Sequence, residues 1–277
     1  MALYVQTNIA SLEAQRNLAG TQKALQANFQ RLSSGYRINS ASDDAAGLGI
    51  SEQMNAQIRS YAVAERNTNN GISMAQTAEG ALGQIGSMLQ RLRELAVEGA
   101  NGDLTTTDRG FLDTEFTQLK QEIDRISTST TFNGQALLSG TANTITFQVG
   151  INNSVNDQID VVFGGVDLTS LGLNASSVTG ATATNAQGAI DDVDAAIATI
   201  STQRSSYGAA MNRMQITVSN IQSMRTNLSA ANSRIKDVDV AEETAAMARN
   251  QVLSQAGAAV LAQANQAPQL AMSLLRG

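Results

Sequence analysis

From Val193 to Ile235 a single stripe of positions recurs at alternating spacings of four and three residues for six heptads without a slip. Its members are Val193, Ile197, Ile200, Arg204, Tyr207, Met211, Met214, Val218, Ile221, Arg225, Leu228, Asn232 and Ile235. A 3.5-residue repeat held that long makes one helix whose seam faces other helices along its whole length. Such a segment belongs to a rod rather than to the compact body of an enzyme. Three occupants are polar. Arg204, Arg225 and Asn232 are either interruptions in the packing or interhelical hydrogen-bonding points that fix the register.

The rest of the chain supplies partners for that seam. Ala75, Ala78, Leu82, Ile85, Leu89, Leu92 and Ala96 repeat the same period inside a helical pattern spanning about 45–98, which would be roughly 80 Å long at 1.5 Å per residue. Asn101-Gly102 ends it, and Leu112, Phe116, Leu119, Ile123 and Ile126 mark a third helix over about 104–128. Residues 5–36 form an amphipathic helix on Leu18, Leu25, Phe29, Leu32 and Tyr36, with Val5, Ile9, Leu12 and Ala19 on a drifting phase, fading at Ser33-Ser34-Gly35. The segment 238–275 repeats the theme with small residues: Ala246, Leu253, Gly257, Val260, Ala264, Ala267, Ala271 and Leu274. Pro268 is expected to bend or interrupt that helix near Asn265.

Between these helices the period changes to two. Ile145, Phe147 and Val149 alternate, as do Ile159, Val161 and Phe163, and the polar linker INNSVN joins them into a β-hairpin. Residues 164–187, rich in Gly, Ala, Ser, Thr and Asn, read as turns and irregular surface.

The stretch NSASDDAAGLGISEQM (39–54) joins the first two helices. Ser40 and Ser42 are positioned to cap the second helix, with Asp43 and Asp44 in its first turn beside free N–H groups. Gly47 and Gly49 permit close backbone approach. The competing reading, Asp43, Asp44 and Glu52 around a divalent ion, lacks the supporting polar groups that such a centre needs.

Composition narrows the function. With no Cys and no His, zinc sites of Cys and His, Ser-His or Cys nucleophile systems and disulfides are excluded. The net charge is −6 and no Lys or Arg occurs between 126 and 203, so no basic footprint for nucleic acid is gathered. No apolar run approaches the roughly 18 residues of a membrane span. The opening MALYVQTNIASLEAQRN lacks a basic leader and apolar core, so export without a cleavable signal peptide is expected. No catalytic, cofactor or metal residues are assigned.

The expected fold is mainly α: a long antiparallel, coiled-coil-like helical rod with paired N- and C-terminal helices and a small β-hairpin insert. The terminal helices (1–43 and 236–277) pair only with each other. Ordering them costs on the order of 1–2 kcal/mol per residue, and alanine-rich seams return little apolar area. They are expected to order only when neighbouring copies cover them, with Val252, Leu261, Leu270 and Leu275 as candidate contacts between subunits. Unlike surfaces that meet head to tail then build an open helical filament.

At this point the chain can be compared with a family. It resembles the bacterial flagellins through LSSGYRINSASDDAAGLGISEQM (32–54), LQRLRELAVEGANG (89–102), EIDRISTSTTFNGQALLSG (122–140) and the long C-terminal stretch 233–276. The resemblance implies a structural subunit of the extracellular filament used for motility. Residues 1–43 and 236–277 would line an inner tube; 44–138 with 188–235 would form the outer tube; 139–187 would be a short surface insert in place of large outer domains. Core-assembly residues are Leu18, Leu25, Leu32, Leu253, Val260 and Leu274, and hinge residues are Ser42, Asp43, Asp44 and Gly47. Implied partners are other copies of the chain, the filament cap, the hook–filament junction, the type III export apparatus and a chaperone gripping the C-terminal helix. An innate immune receptor would read Gln90, Arg91, Leu95, Glu98 and Glu122, where Glu98 departs from the commoner Gln. Thr141, Ser154, Ser176 and Ser177 are candidate O-glycosylation positions. The nearest rival is a hook–filament junction protein, a relative with similar terminal helices.

Overall fold

The 55 residues of the second helix and the 53 of the fourth run antiparallel, and their cross-pairs follow one register. In this computed structural model, which describes the backbone of residues 7–276 and the side chains of 7–266, helix α1 spans Ile9–Ser34, α2 Ala45–Gly99 and α3 Thr106–Ser129. Short strands β1 (Thr131–Phe132) and β2 (Gln135–Ala136) precede the longer β3 (Asn143–Gln148) and β4 (Gln158–Phe163). Helices α4 (Thr184–Lys236) and α5 (Val240–Arg276) complete the chain. Val5 lies outside the described residues, as do the side chains of Ala267, Leu270, Ala271, Leu274 and Leu275.

Contacts divide the chain into two units, residues 1–56 with 227–277, and Gln57–Thr226. In the second unit the α2 seam is buried at every expected position from Ala75 to Ala96. Against it pack Phe116 and Ile123 of α3, and Val193, Ile200, Tyr207 and Met214 of α4. On α4 every second member of the sequence stripe is fully buried from Val193 to Ile221, and none beyond it. Ile197, Met211 and Val218 are half-buried and Arg204 is exposed, while Ala196 and Ala210 are buried instead. The buried stripe of α4 thus shifts by one residue at Ala196 and Ala210, setting alanine rather than the larger neighbour in the core.

The polar stripe positions are bonding points. Arg204 donates to Glu79 Oε1 at 2.8 Å, Arg225 pairs with Glu65, and Asn232 donates to Asn55 Oδ1 at 3.2 Å. Residue numbers fall on α2 as they rise on α4, so each pair specifies the same antiparallel register.

The hairpin pairs Ile145 with Val161 and Phe147 with Ile159, and places Ile159, Val161 and Phe163 inward. A close approach makes this possible: a Cβ on Gly71 would meet Met214 Cε at 3.0 Å and Phe147 Cδ1 at 3.1 Å. The β1–β2 turn was not anticipated. Asn133 (φ 49°) and Gly134 (φ 79°) supply the two positive φ angles of a two-residue hairpin, for which Asn-Gly is the strongest short signal.

Residues 164–187 depart from the surface reading. Val166, Leu171, Leu173 and Val178 are buried and join the core. The segment is tied to α3, where Lys120 Nζ donates to the Asn174 and Ser176 carbonyls and Asp113 accepts from Val178 N. Irregularly spaced apolar residues in a turn-rich stretch carry no period, so their burial was not legible. Arg109, itself buried, closes this end. It donates to the carbonyls of Gly99 at 2.9 Å, Asn101 at 2.8 Å and Gly180 at 3.4 Å, satisfying the open C-terminus of α2.

Helix α5 continues through Pro268 to Arg276 without the expected interruption. Proline removes the N–H that would bond the carbonyl four residues earlier. That carbonyl, on Ala264, accepts instead from Asn8 Nδ2 at 2.7 Å.

Candidate functional site

The terminal pair of helices is the most unusual surface of the molecule. Helix α1 is capped at its start by Asn8, which accepts from Ser11 N. It ends on Gly35, whose left-handed conformation (φ 75°) directs its N–H to the Arg31 carbonyl. It lies along α5. The row of α1 that faces α5 is small and polar where it is most buried: Ser11, Ala14 and Asn28. Asn28 donates to Glu243 Oε1 and accepts from Asn250 Nδ2, and Ser11 Oγ bonds Asn265 Oδ1 at 2.7 Å. Gly257 lets Leu18 approach closely, since a Cβ there would stand 3.3 Å from Leu18 Cδ1.

The large apolar residues of the pair mostly point elsewhere. Ile9, Leu12, Phe29, Val240, Val252, Leu253 and Val260 are each at least 50% exposed. Leu18, Leu25 and Leu32 are half-buried. The sequence seam on α5 is thus corrected. Leu253 and Val260 do not face α1, whereas Ser254, Gly257, Leu261 and Ala264 form the half-buried row. Leu261, expected as a contact between subunits, belongs instead to this row, whose other members are small and let the two backbones draw together.

The links from α1 to α2 and from α4 to α5, both within the first unit, are zipped side by side. Tyr36 and Asp237 form an antiparallel bridge, with Arg37 N donating to the Lys236 carbonyl at 2.7 Å and Val238 N to the Gly35 carbonyl at 3.0 Å. Within the first linker the capping roles differ from those expected. Asp44, not a serine, caps α2, accepting from Gly47 N at 2.8 Å. Asp43 folds back and accepts from Ser40 N, Asn39 N and Ser40 Oγ, which hold its carboxyl below the usual carboxylate range. Ser42 bonds only Ser40 Oγ. A serine hydroxyl is displaced from the cap because the carboxylate is the stronger acceptor for N–H groups at a helix start. Gly47 is buried, and a Cβ there would come within 2.8 Å of Ile38 Cδ1. Among the described residues no group of acidic side chains is gathered for a metal ion, Asp43, Asp44 and Glu52 included.

The remaining sequence-named positions lie on α2 and α3. Gln90, Arg91 and Glu98 are exposed and Glu122 is half-buried. Arg91 bonds Glu94 and, across to α3, Glu115, while Glu122 is bound by Arg125 of its own helix. Leu95 is 1% exposed and belongs to the core. No helix among the described residues is long and apolar enough to cross a membrane.

Comparison with known proteins places these surfaces in a family. Residues 5–143 match the bacterial flagellin N-terminal helical region and residues 190–275 the bacterial flagellin C-terminal helical region. The chain is similar to a flagellin of Halalkalibacterium halodurans, 45% identical over 276 residues, covering 99% of this chain and 100% of the relative. It is also similar to a flagellin of Bacillus subtilis, 40% identical over 299 residues, covering 97% and 98%. The fold is shared with a putative flagellar hook-associated protein from Vibrio parahaemolyticus at TM-score 0.59 and 15% identity, covering 70% of this chain and 100% of that one. The hook-associated likeness is one of fold alone, whereas the flagellin matches extend through both halves of the sequence. The chain belongs to the bacterial flagellins, and is a non-catalytic structural subunit that self-assembles into the flagellar filament of motility.

Proposed function

We propose that residues 1–43 and 236–277 form the inner tube of the filament, that 44–138 with 188–235 form the outer tube, and that 139–187 faces outward. The observation that carries this reading is the character of the α1–α5 pair, in which the most buried positions of α1 are small or polar and seven large apolar residues stand at least half exposed. Exposed apolar rows of this extent mark surfaces that another chain covers. Leu253 and Val260 are contacts to neighbouring copies, and Leu18, Leu25 and Leu32 hold the pair together. Leu274 belongs to the same set by family resemblance, its side chain lying outside the described residues. Ser42, Asp43, Asp44 and Gly47 serve as the hinge on which the terminal pair is set during assembly.

By the same resemblance, the subunit is exported unfolded through the flagellar type III apparatus. A chaperone holds α5 before export, and the subunit is added beneath the cap of a filament that starts at the hook–filament junction. Gln90, Arg91, Glu98 and Glu122, with Leu95 beneath them, form the surface offered to an innate immune receptor.

Hydrogen exchange tests the central claim. Amides of α1 and α5 are expected to exchange rapidly in dilute monomer and slowly in filaments. Equal protection in both states overturns the reading. Removal of residues 1–40 and 238–277 is expected to abolish polymerisation, and growth of filaments by that truncated chain overturns it as well.

A further inference from the structure

Asparagine followed by glycine occurs three times in the chain, at Asn70-Gly71, Asn101-Gly102 and Asn133-Gly134. In each, the side-chain amide carbon and the next peptide nitrogen can close into a ring, and the backbone decides whether they meet. Two of the three are held apart. Asn70-Gly71 lies inside α2, where the Gly71 N–H is committed to the helix and Gly71 is buried against Met214 and Phe147. Ring closure there requires local opening of the rod. Asn133 has a left-handed backbone (φ 49°), which turns the Gly134 nitrogen away from the Asn133 side chain. The pairing of Phe132 with Gln135 fixes that turn on both sides.

Asn101 is held differently. It is exposed just beyond the end of α2 at Gly99, and its own N–H bonds the Glu98 carbonyl at 3.1 Å. Among the described residues neither its side-chain amide nor the Gly102 N–H has a hydrogen-bond partner, and a Cβ on Gly102 would meet nothing within 4 Å. The carbonyl of the same Asn101–Gly102 peptide accepts from Arg109 Nη2 at 2.8 Å. Arg109 is 2% exposed and takes part in no ion pair among the described residues. A buried cation on that oxygen eases loss of the Gly102 N–H proton, because the negative charge left behind settles on the oxygen it holds. It also makes the Asn101 carbonyl carbon the more electrophilic one. The attacking nitrogen is unbonded, unhindered and activated.

We infer that Asn101 is a site of spontaneous self-modification, promoted by Arg109, at which the asparagine becomes chiefly isoaspartate. The Gly102 nitrogen attacks Cγ of Asn101; the new N–Cγ bond forms, the Cγ–Nδ2 bond breaks, and the side-chain nitrogen leaves as ammonia with the proton released from Gly102. Water then opens the cyclic imide. Attack at the Asn101 carbonyl carbon, the one polarised by Arg109, breaks its bond to the Gly102 nitrogen. The main chain then runs through Cγ, and the oxygen already held by the guanidinium becomes part of a free carboxylate. The buried cation thereby gains a counter-charge, so both the path and the product favour isoaspartate over aspartate. One water is consumed, one ammonia is released and one negative charge is added. The new charge joins Glu98 and Asp103 at the hollow beside the C-terminal end of α2, where the helix dipole disfavours further anions. The reaction accumulates with time alone and is independent of assembly.

The test is peptide mapping by mass spectrometry of the full, unpolymerised chain, aged at neutral pH in buffer and, in parallel, unfolded in guanidinium chloride. In the folded chain Asn101 is expected to convert at least about tenfold faster than Asn70 or Asn133, and in the unfolded chain all three at rates within about threefold. The isoaspartate-to-aspartate ratio at residue 101 is expected to be at least about twofold higher in the folded chain than in the unfolded one. Conversion of Asn70 or Asn133 ahead of Asn101, or the same ranking with and without denaturant, overturns the inference. An equal product ratio in the two states overturns the part given to Arg109. Gly102→Ala, which puts a methyl into open space, is expected to slow conversion at Asn101 about tenfold or more, and an unchanged rate also counts against the ring closure. Arg109→Gln is expected to lower both the rate and the isoaspartate share. The folded-against-unfolded comparison needs no substitution and decides the matter should that variant fail to fold.

Discussion

Asn8 Nδ2 lies 2.7 Å from the carbonyl oxygen of Ala264, the acceptor that Pro268 leaves without its helical donor. Two residues 256 apart thereby share one hydrogen bond, and α5 passes its proline with that carbonyl satisfied. Asn8→Ala is expected to weaken the α1–α5 pair by about 1–2 kcal/mol. In a Pro268→Ala background, where residue 268 regains its own N–H, the same substitution is expected to cost markedly less. Calorimetry of filaments of the four variants measures the coupling, and strictly additive melting shifts contradict it.

The polar cluster in the same pair supplies a second expectation. Asn28→Ala removes a partner of both Glu243 and Asn250 and leaves the Glu243 carboxylate with only the 3.8 Å contact to Arg31 between the helices. The cost is expected to be about 1–3 kcal/mol, read as a lowered melting temperature of the filament. An unchanged transition contradicts the assignment.

Two glycines near the start of α2 are expected to respond with opposite signs. Gly47→Ala would bring a methyl to 2.4 Å from Asp44 Oδ2, disturbing the cap of α2, and is expected to destabilise by about 1–3 kcal/mol. Gly49, in the next turn, has open space at its Cβ, so Gly49→Ala is expected to stabilise the helix by about 0.5–1 kcal/mol. Chemical denaturation of both variants tests the contrast, which fails if they shift the same way.

Helix starts set the acid response. Asp43 is lowered from its ordinary 3.8 chiefly by the Ser40 backbone N–H, and Asp108 chiefly by the Thr105 hydroxyl in the capping box of α3. A depressed folded value means that the contribution is fully present above the unfolded value and is lost only as pH falls through the lower, folded one. Carboxyl NMR titration is expected to place both midpoints below 3.8. Thr105→Ala should return Asp108 toward 3.8 and leave Asp43 unmoved.

In the rod, burial outweighs surface charge. Leu89→Ala, in the fully buried seam, is expected to cost about 2–5 kcal/mol. Arg93→Ala breaks a pair with Asp194 whose side chains are about half exposed, and is expected to cost less than about 1 kcal/mol. Urea titration of the full chain ranks them, and a larger loss for Arg93→Ala contradicts the ranking.

The sequence by itself determined the helices and the alternating faces of the hairpin strands, because periods of 3.5 and 2 are properties of spacing alone. The Ala75–Ala96 seam and the inward face Ile159, Val161 and Phe163 were legible for that reason. Tertiary structure alone decided which flank of each stripe is buried. A heptad pattern names a stripe about one side chain wide, and the closeness of the partner then selects Ala196 and Ala210 over Ile197 and Met211, or Gly257 over Leu253 and Val260. It also decided the burial of Leu171, Leu173 and Val178, the clamp at Arg109 and the bond from Asn8 to Ala264. Each of these depends on residues distant in the chain meeting without any repeat to announce them, so only the folded arrangement could disclose them.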